Sequence, residues 1–235
     1  MIRTLLDKLM SRIKNSDFEL DKRIPASYLF GFFLAKSIAL ARGTLLFHRR
    51  IRAFVSPGTK LKCKKMIRFG NNLCIDRGCY IDALSEEGIT FGRNVSIGKS
   101  THIECTGSLR NLGKGLHVGD NVGLGSCGFF GCAGGISIGD DTLFGNYVSL
   151  HAENHNYKDS RLPIRQQGVN RKGIKVGSNC WIGAKATILD GADIGNGSIV
   201  AAGAVVLCGT YPPDTILAGV PAKPVKEIRK FSYSE

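Results

Sequence analysis

The sequence predicts a mainly β fold in which short parallel strands wind into stacked three-sided coils, and three observations in the 235-residue chain support it. An aliphatic or Phe residue recurs every six residues, in six groups of three. Gly directly follows 11 of these 18 apolar residues. After its first apolar residue, each group continues with Gly and, within two positions, Asn or Asp. The periodic positions are Phe69, Ile75, Ile81, Phe91, Ile97, Ile103, Val118, Leu124, Phe130, Ile138, Phe144, Leu150, Val176, Ile182, Ile188, Ile194, Val200 and Val206.

A period of six fits neither an α-helix nor a half-buried strand, but it fits a short strand followed by a corner. The apolar residue points inward, while Gly and Asn or Asp occupy the corner, where a positive φ or a side-chain turn bond is needed. Three corners close one coil, and stacked coils bury a continuous core. With coils about 4.8 Å apart, the six predicted coils form a prism roughly 29 Å long. We assign this β-helix to residues 61–220.

The N-terminal segment differs from the prism in its charge. Residues 1–68 contain 16 Lys or Arg and 4 Asp or Glu, a net charge of +12, whereas residues 69–235 carry only +1. An apolar stretch runs from Ile24 to Phe47, but its uncharged part, Ile24 to Ala35, is too short to span a bilayer. We therefore predict a helical segment over residues 1–60. It lies on an anionic membrane surface, caps the first coil or a neighbouring subunit, or does both.

No recognition motif accompanies the basic charge, so nucleic acid is not an expected partner. The eight Cys residues are scattered and form no CxxC pair, and no signal peptide is evident, so we expect reduced thiols in a cytoplasmic protein. Contact with the inner face of the membrane is part of the same expectation.

One gap between groups is much longer than the others: 26 residues separate Leu150 from Val176. The loop over residues 151–173 holds two of the five His residues and many amide and charged side chains. Long loops on rigid scaffolds commonly carry catalytic groups. We therefore predict that the active site is built on this loop.

Four segments in the C-terminal third resemble the landmarks of one enzyme family: Val176–Ala184, Ala201–Val206, Pro212–Asp214 and Ala218–Lys223. From about residue 69 to 230 the chain is similar to the hexapeptide-repeat acyltransferases, and within them to the maltose, galactoside and polysaccharide O-acetyltransferases. The resemblance implies a left-handed parallel β-helix and a homotrimer with each active site between two subunits. We also predict a short C-terminal helix or tail over residues 221–235.

The resemblance further implies an acetyl-CoA-dependent O-acetyltransferase that acts on a hydroxyl of a sugar or of a polysaccharide or lipid-linked glycan precursor. The catalytic His of the family lies fourteen residues past the Gly139-Asp140-Asp141 corner, which here is His155. An imidazole suits removal of the hydroxyl proton as the oxygen attacks the thioester carbonyl.

The cofactor contacts implied by the family map onto five residues. The backbone N–H of Ala184 or a neighbour would stabilise the oxyanion, and the backbones of Ala184 and Ala202 would contact coenzyme A. Lys223 and Lys226 would face its phosphates, and Trp181 would lie beside it, unless the indole only covers the prism face. No metal is expected.

Two departures from the family pattern limit what is carried over. Leu207-Cys208 stand where relatives often have a Thr-Lys pair that holds the cofactor. Residues 125–130 lack the Asn of the small-sugar acetyltransferases, so the acceptor of those enzymes is not transferred.

Several alternatives remain open from the sequence. A non-sugar acceptor of the serine or antibiotic type is one, and a solenoid without catalysis is another. His117, His151 and His155 could instead form a zinc site of the carbonic-anhydrase type. Glu153 could orient a His or be solvated.

Overall fold

The computed structural model describes residues 20–21, 23–48 and 51–228. Most of its strands pair in parallel and form the three faces of a prism. The first face contains β1 (Ala53–Val55), β4 (Leu73–Ile75), β7 (Ser96–Ile97), β10 (Gly123–Leu124), β13 (Leu143–Phe144), β18 (Trp181–Ile182), β21 (Ile199–Val200), β24 (Thr215–Gly219) and β25 (Ala222–Glu227). The second contains β2 (Lys60–Lys62), β5 (Tyr80–Asp82), β8 (His102–Glu104), β11 (Phe129–Gly131), β14 (Ser149–His151), β19 (Thr187–Leu189) and β22 (Val205–Val206). The third contains β3 (Ile67–Phe69), β6 (Ile89–Phe91), β9 (Leu116–Val118), β12 (Ile136–Ile138), β17 (Ile174–Val176), β20 (Ala192–Ile194) and β23 (Gly209–Tyr211).

The chain visits the three faces in turn, so the predicted parallel β-helix is confirmed. The second and third faces have seven strands each, which gives seven coils where the sequence predicted about six. The additional coil begins at Ala53, eight residues before the predicted boundary. Val55, Leu61 and Ile67 keep the spacing of six, but this coil lacks the Gly-Asn corner signal that marked the others.

The interior of the prism contains all 18 periodic residues, each of them buried. At one corner, Asn or Asp side chains form a ladder between successive coils: Asn72 Nδ2 donates to Asn94 Oδ1, Asn94 to Asn121, and Asn121 to Asp141, each at 2.9 Å. Each of these four residues has a left-handed φ, between 57° and 66°. The corner therefore needs residues that tolerate a positive φ and can also hydrogen-bond between coils.

A single α-helix in the described residues, α1 (Ala26–Phe47), precedes the prism. Its last nine residues, from Ala39 onward, belong to the same unit as the prism and pack on the first coil. Arg42 Nη2 donates to the Thr59 carbonyl at 3.1 Å, and the Phe47 and Phe69 rings meet at 4.7 Å. Gly43 is buried against the Ala53 carbonyl, where a Cβ would collide. This part of α1 is the predicted helical cap.

The 22 residues of α1 form one continuous helix, long and apolar enough to cross a bilayer by length and composition alone. This corrects the expectation that the apolar stretch is interrupted after Ala35, since the helix continues through Lys36 and Arg42. Residues 1–19 of the predicted N-terminal segment lie outside the described residues.

The predicted C-terminal helix is wrong for Ala222–Glu227, which form β25, antiparallel to β24. The last coil leaves the edge of β24 open, and a hairpin through Val220–Pro221 satisfies its hydrogen-bonding groups. Pro224 would also interrupt a helix at this position. Residues 229–235 lie outside the described part of the chain.

Candidate active site

The long loop leaves the prism between the second and third faces, at the end of β14. Within it, β15 (Asn154–His155) pairs antiparallel with β16 (Val169–Asn170), with His155 opposite Val169. The Gln167 amide closes the turn beyond them, because its Nε2 donates to the carbonyls of Asp159 and Leu162 at 2.8 Å. The loop is therefore a folded hairpin with internal hydrogen bonds rather than a loosely solvated connection.

His155 is exposed and lines a cleft of about 870 Å³ between this hairpin and the last coils of the prism. Tyr157 and Asp190 line the same cleft. Leu207 and Cys208 form part of its wall, and Lys172 Nζ lies 3.4 Å from the Cys208 Sγ. Leu207 and Cys208, which depart from the family pattern, therefore line the same cleft as the predicted catalytic His155.

Asp190 anchors the loop, although nothing in the sequence analysis singled it out. Its side chain is almost completely buried, at 1% exposure. The carboxylate accepts the backbone N–H groups of Lys172 at 2.9 Å and Gly173 at 2.7 Å, and the Asn154 Nδ2 at 3.4 Å. A buried carboxylate is costly unless such donors surround it. The signal in the sequence was an acid directly after the apolar strand β19.

These bonds connect the outgoing and returning ends of the loop to one fixed point on the prism. Asn154 precedes His155, and Gly173 precedes β17, so the carboxylate of Asp190 fixes the strand that carries the predicted base.

A second anchor is the ion pair between Arg171 Nε and Glu153 Oε2, at 2.6 Å and largely buried. The same guanidinium donates to the Leu112 carbonyl at 2.8 Å and to the Asn111 carbonyl at 3.2 Å. Of the two roles considered for Glu153, orienting a His or facing solvent, the structure shows neither. The carboxylate instead accepts from Arg171 within the loop, and the guanidinium of Arg171 joins the loop to the connection at residues 111–112.

His151 has different surroundings from His155. It ends β14 on the second face, where its ring lies 5.4 Å from the Phe129 ring with a tilt of 31°. Gly131 leaves space for Phe129, since a Cβ there would come within 3.1 Å of that ring. Burial lowers the pKa of His151 below its ordinary value, which favours the neutral imidazole.

The predicted cofactor residues lie away from His155 in a single chain. Ala184 and Ala202 occupy successive coils at the corner between the first and second faces, whereas His155 extends from the corner between the second and third. Both alanines are exposed, and neither backbone N–H donates a hydrogen bond to another described residue. Free amides on an exposed corner fit the predicted backbone contacts with coenzyme A.

The remaining predicted cofactor residues lie on the first face. Trp181 is 57% exposed and pairs in register with Leu143, which is equally exposed. Lys223 and Lys226 are exposed on β25 beyond the last coil. The fold therefore gathers Trp181, Ala184 and Ala202 toward one side of the first face, and the lysines at its end.

The zinc alternative is not assembled within one chain. In the described residues, no three His, Cys, Asp or Glu side chains form a group that could hold a metal ion. His117 lines a separate cleft of about 260 Å³ on the third face, away from the cleft that His155 lines.

The chain matches one family model and is similar to several known proteins. Residues 173–208 match the family described as bacterial transferase hexapeptide (six repeats). The putative lipopolysaccharide biosynthesis O-acetyl transferase WbbJ of Escherichia coli is 31% identical over 207 residues, which cover 85% of this chain and 89% of that protein.

Two further relatives match over shorter lengths. A probable acetyltransferase of Mycobacterium tuberculosis is 34% identical over 139 residues, 59% of this chain and 46% of that protein. The galactoside O-acetyltransferase of Escherichia coli is 33% identical over 94 residues, 40% of this chain and 44% of that protein. The chain thus spans less than half the length of these two proteins.

Among solved structures, a variant of AntD has a similar fold. AntD is an N-acyltransferase from Bacillus cereus, and the variant was crystallised with dTDP and coenzyme A. The TM-score is 0.54 at 16% identity, with 77% of this chain and 83% of that chain covered. At this identity the likeness concerns the fold alone.

Proposed function

Because the chain belongs to the bacterial hexapeptide-repeat acetyltransferases, whose left-handed parallel β-helix it shares, we propose that it is an acetyl-CoA-dependent O-acetyltransferase with His155 as general base. The observation that carries the assignment is the position of His155. This side chain is exposed in the cleft, on a short strand that Asp190 and Arg171 fix to the prism.

Acetyl-CoA would supply the acetyl group as a thioester. His155 would take the proton of the acceptor hydroxyl while the hydroxyl oxygen forms its bond to the carbonyl carbon. It would return that proton to the departing thiolate sulfur when the carbon–sulfur bond breaks. The backbone N–H of Ala184 would donate to the carbonyl oxygen as negative charge develops there.

This mechanism requires two copies of the chain, because His155 and Ala184 lie at different corners of one prism. Each copy also has exposed apolar side chains on both sides of the proposed site. Leu143, Tyr147 and Trp181 lie on or beside the first face, and Leu162 and Ile164 lie on the loop.

A patch on one copy that meets a different patch on the next generates a ring when the rotation closes. We propose a homotrimer in which His155 of one subunit faces the Trp181 and Ala184 region of its neighbour.

For the acceptor we propose a polysaccharide or lipid-linked glycan precursor. The support is the match over 89% of a protein named as a lipopolysaccharide O-acetyl transferase, against 44% of the galactoside enzyme. A serine-type or antibiotic-type acceptor is the alternative.

The test is incubation of the purified protein with labelled acetyl-CoA and separate nucleotide-sugar, lipid-linked and polysaccharide fractions. Alkali-labile label in a glycan fraction supports the proposal. Label only in a small non-sugar acceptor identifies the alternative, and label in no fraction contradicts both.

A further inference from the structure

The helix α1 exposes an apolar stripe along its length. Phe30, Leu34 and Ile38 recur every four residues, so they share one face, and they are 73%, 51% and 49% exposed. Tyr28 and Phe32 are also exposed, but on another side of the helix, because residues two apart do not share a face. An exposed apolar stripe such as Phe30, Leu34 and Ile38 marks an interaction site.

The packing of α1 limits how far it can enter a bilayer. Ala39–Phe47 are held by the first coil, through the Arg42 bond to the Thr59 carbonyl and the close approach of Gly43 to Ala53. The 13 residues of Ala26–Ile38 remain. At 1.5 Å per residue they extend about 20 Å, which is shorter than the hydrocarbon core of about 30 Å. This segment can enter one leaflet but cannot cross both.

The surface next to this segment in sequence is cationic. Residues 51–69, which form most of the first coil, contain six Lys or Arg and no Asp or Glu. These six side chains are exposed: Arg52, Lys60, Lys62, Lys64, Lys65 and Arg68. Clusters of four to eight basic residues beside an inserted helix attract the anionic headgroups of a bilayer.

We propose that the face of α1 formed by Phe30, Leu34 and Ile38 inserts into one leaflet of an anionic bilayer, and that the basic residues of the first coil attract its headgroups. The segment Ala26–Ile38 then holds the chain on the membrane without itself crossing both leaflets. This inference does not depend on acetyl transfer, and its test measures none.

The decisive variant is the full-length triple substitution Phe30→Gln, Leu34→Gln and Ile38→Gln, which leaves net charge unchanged and keeps good helix formers. Its matched control is Leu109→Gln, Val220→Gln and Val225→Gln, because these three apolar side chains are also exposed. Each protein is floated with vesicles of phosphatidylglycerol and phosphatidylcholine, after circular dichroism has shown a native spectrum.

We expect the wild type and the control to float with the vesicles. We expect the α1 variant to bind the vesicles at least about tenfold more weakly. A second variant, Lys60→Gln, Lys64→Gln and Lys65→Gln, should lose binding mainly to vesicles that contain phosphatidylglycerol.

Flotation of the α1 variant at the wild-type level would overturn the proposal, and so would a wild type that does not float. If the wild type stays unbound and the α1 variant has a smaller mass by light scattering, the stripe is an interface between copies of the chain.

Discussion

At the scale of single residues, His155 and His151 are four positions apart but have different surroundings. His155 lines the open cleft, whereas the His151 ring packs beside Phe129 on the second face. Burial lowers the pKa of His151 and favours its neutral form, so this shift is no argument against His151 as a base. What distinguishes His155 is its access to the cleft.

We predict that His155→Ala lowers kcat for acetyl transfer by ~10²–10⁴-fold, the usual cost of losing a general base. Binding of coenzyme A, measured by calorimetry, should change little, because its predicted contacts lie at another corner. The control is His151→Ala, which should retain activity within a few-fold. The reverse pattern, an active His155→Ala and an inactive His151→Ala, would show that the base is misassigned.

Asp190 gives the second prediction at this scale. In Asp190→Asn only one oxygen remains for the N–H groups of Lys172 and Gly173, and the new amide N–H₂ faces donors. We expect faster hydrogen exchange at these two amides and a fall in kcat of about 10- to 100-fold, because small displacements of a base are costly. KM for acetyl-CoA should change less than twofold.

The matched control is Asp193→Asn, a half-exposed acid on β20 that pairs with Lys175 at 3.8 Å. It should leave exchange and kinetics unchanged. If Asp190→Asn lowers activity while exchange at residues 172–173 stays at the wild-type rate, Asp190 does not act by positioning the loop.

At the scale of elements, the corner ladder explains why Asn or Asp recurs two residues after the corner Gly. Asn121 accepts from Asn94 and donates to Asp141, and its φ is 57°. A left-handed backbone costs a residue with a Cβ roughly 1–2 kcal/mol, and a hydrogen bond contributes about 1 kcal/mol.

We therefore predict that Asn121→Ala lowers the free energy of unfolding in urea by about 1–3 kcal/mol. Asn121→Gly removes the same hydrogen bonds but tolerates the positive φ, so it should be the milder of the two. Equal losses for the two variants would mean that backbone conformation contributes nothing at this corner.

Elements with a repeated signal were predictable from the sequence. The 18 periodic positions are all buried, because each faces the interior of the prism, where apolar side chains of successive coils pack together. The first coil is not predicted because it lacks the Gly-Asn signal, and the prediction of a helix at β25 is wrong. The pairing that makes β25 a strand depends on the open edge of β24, which a local pattern does not contain.

The active site could be predicted only in part, because several of its contacts join residues far apart in the sequence. The position of His155 follows from the family spacing, and the structure places it in the cleft. The hydrogen bonds of Asp190 to the loop ends and of Glu153 to Arg171 join residues 17 or more positions apart, and no short motif encodes them.

At the scale of the whole molecule, the proposed active site is divided between two chains. His155 extends from one corner of the prism, and the free amides of Ala184 and Ala202 lie at another. A single chain therefore holds both halves of the predicted machinery but cannot bring them together.

Subunit complementation tests this claim most directly. His155→Ala is combined in equal amounts with Ala184→Glu, which places charge and bulk on the exposed cofactor corner, and each variant alone should be nearly inactive. In randomly mixed trimers about a quarter of the sites join an intact His155 to an intact corner. We predict that labelled acetyl transfer to the accepting glycan fraction recovers to about that share of the wild-type rate. Mixed trimers that stay as inactive as the separate variants, or a wild type that transfers no acetyl group, would contradict the account.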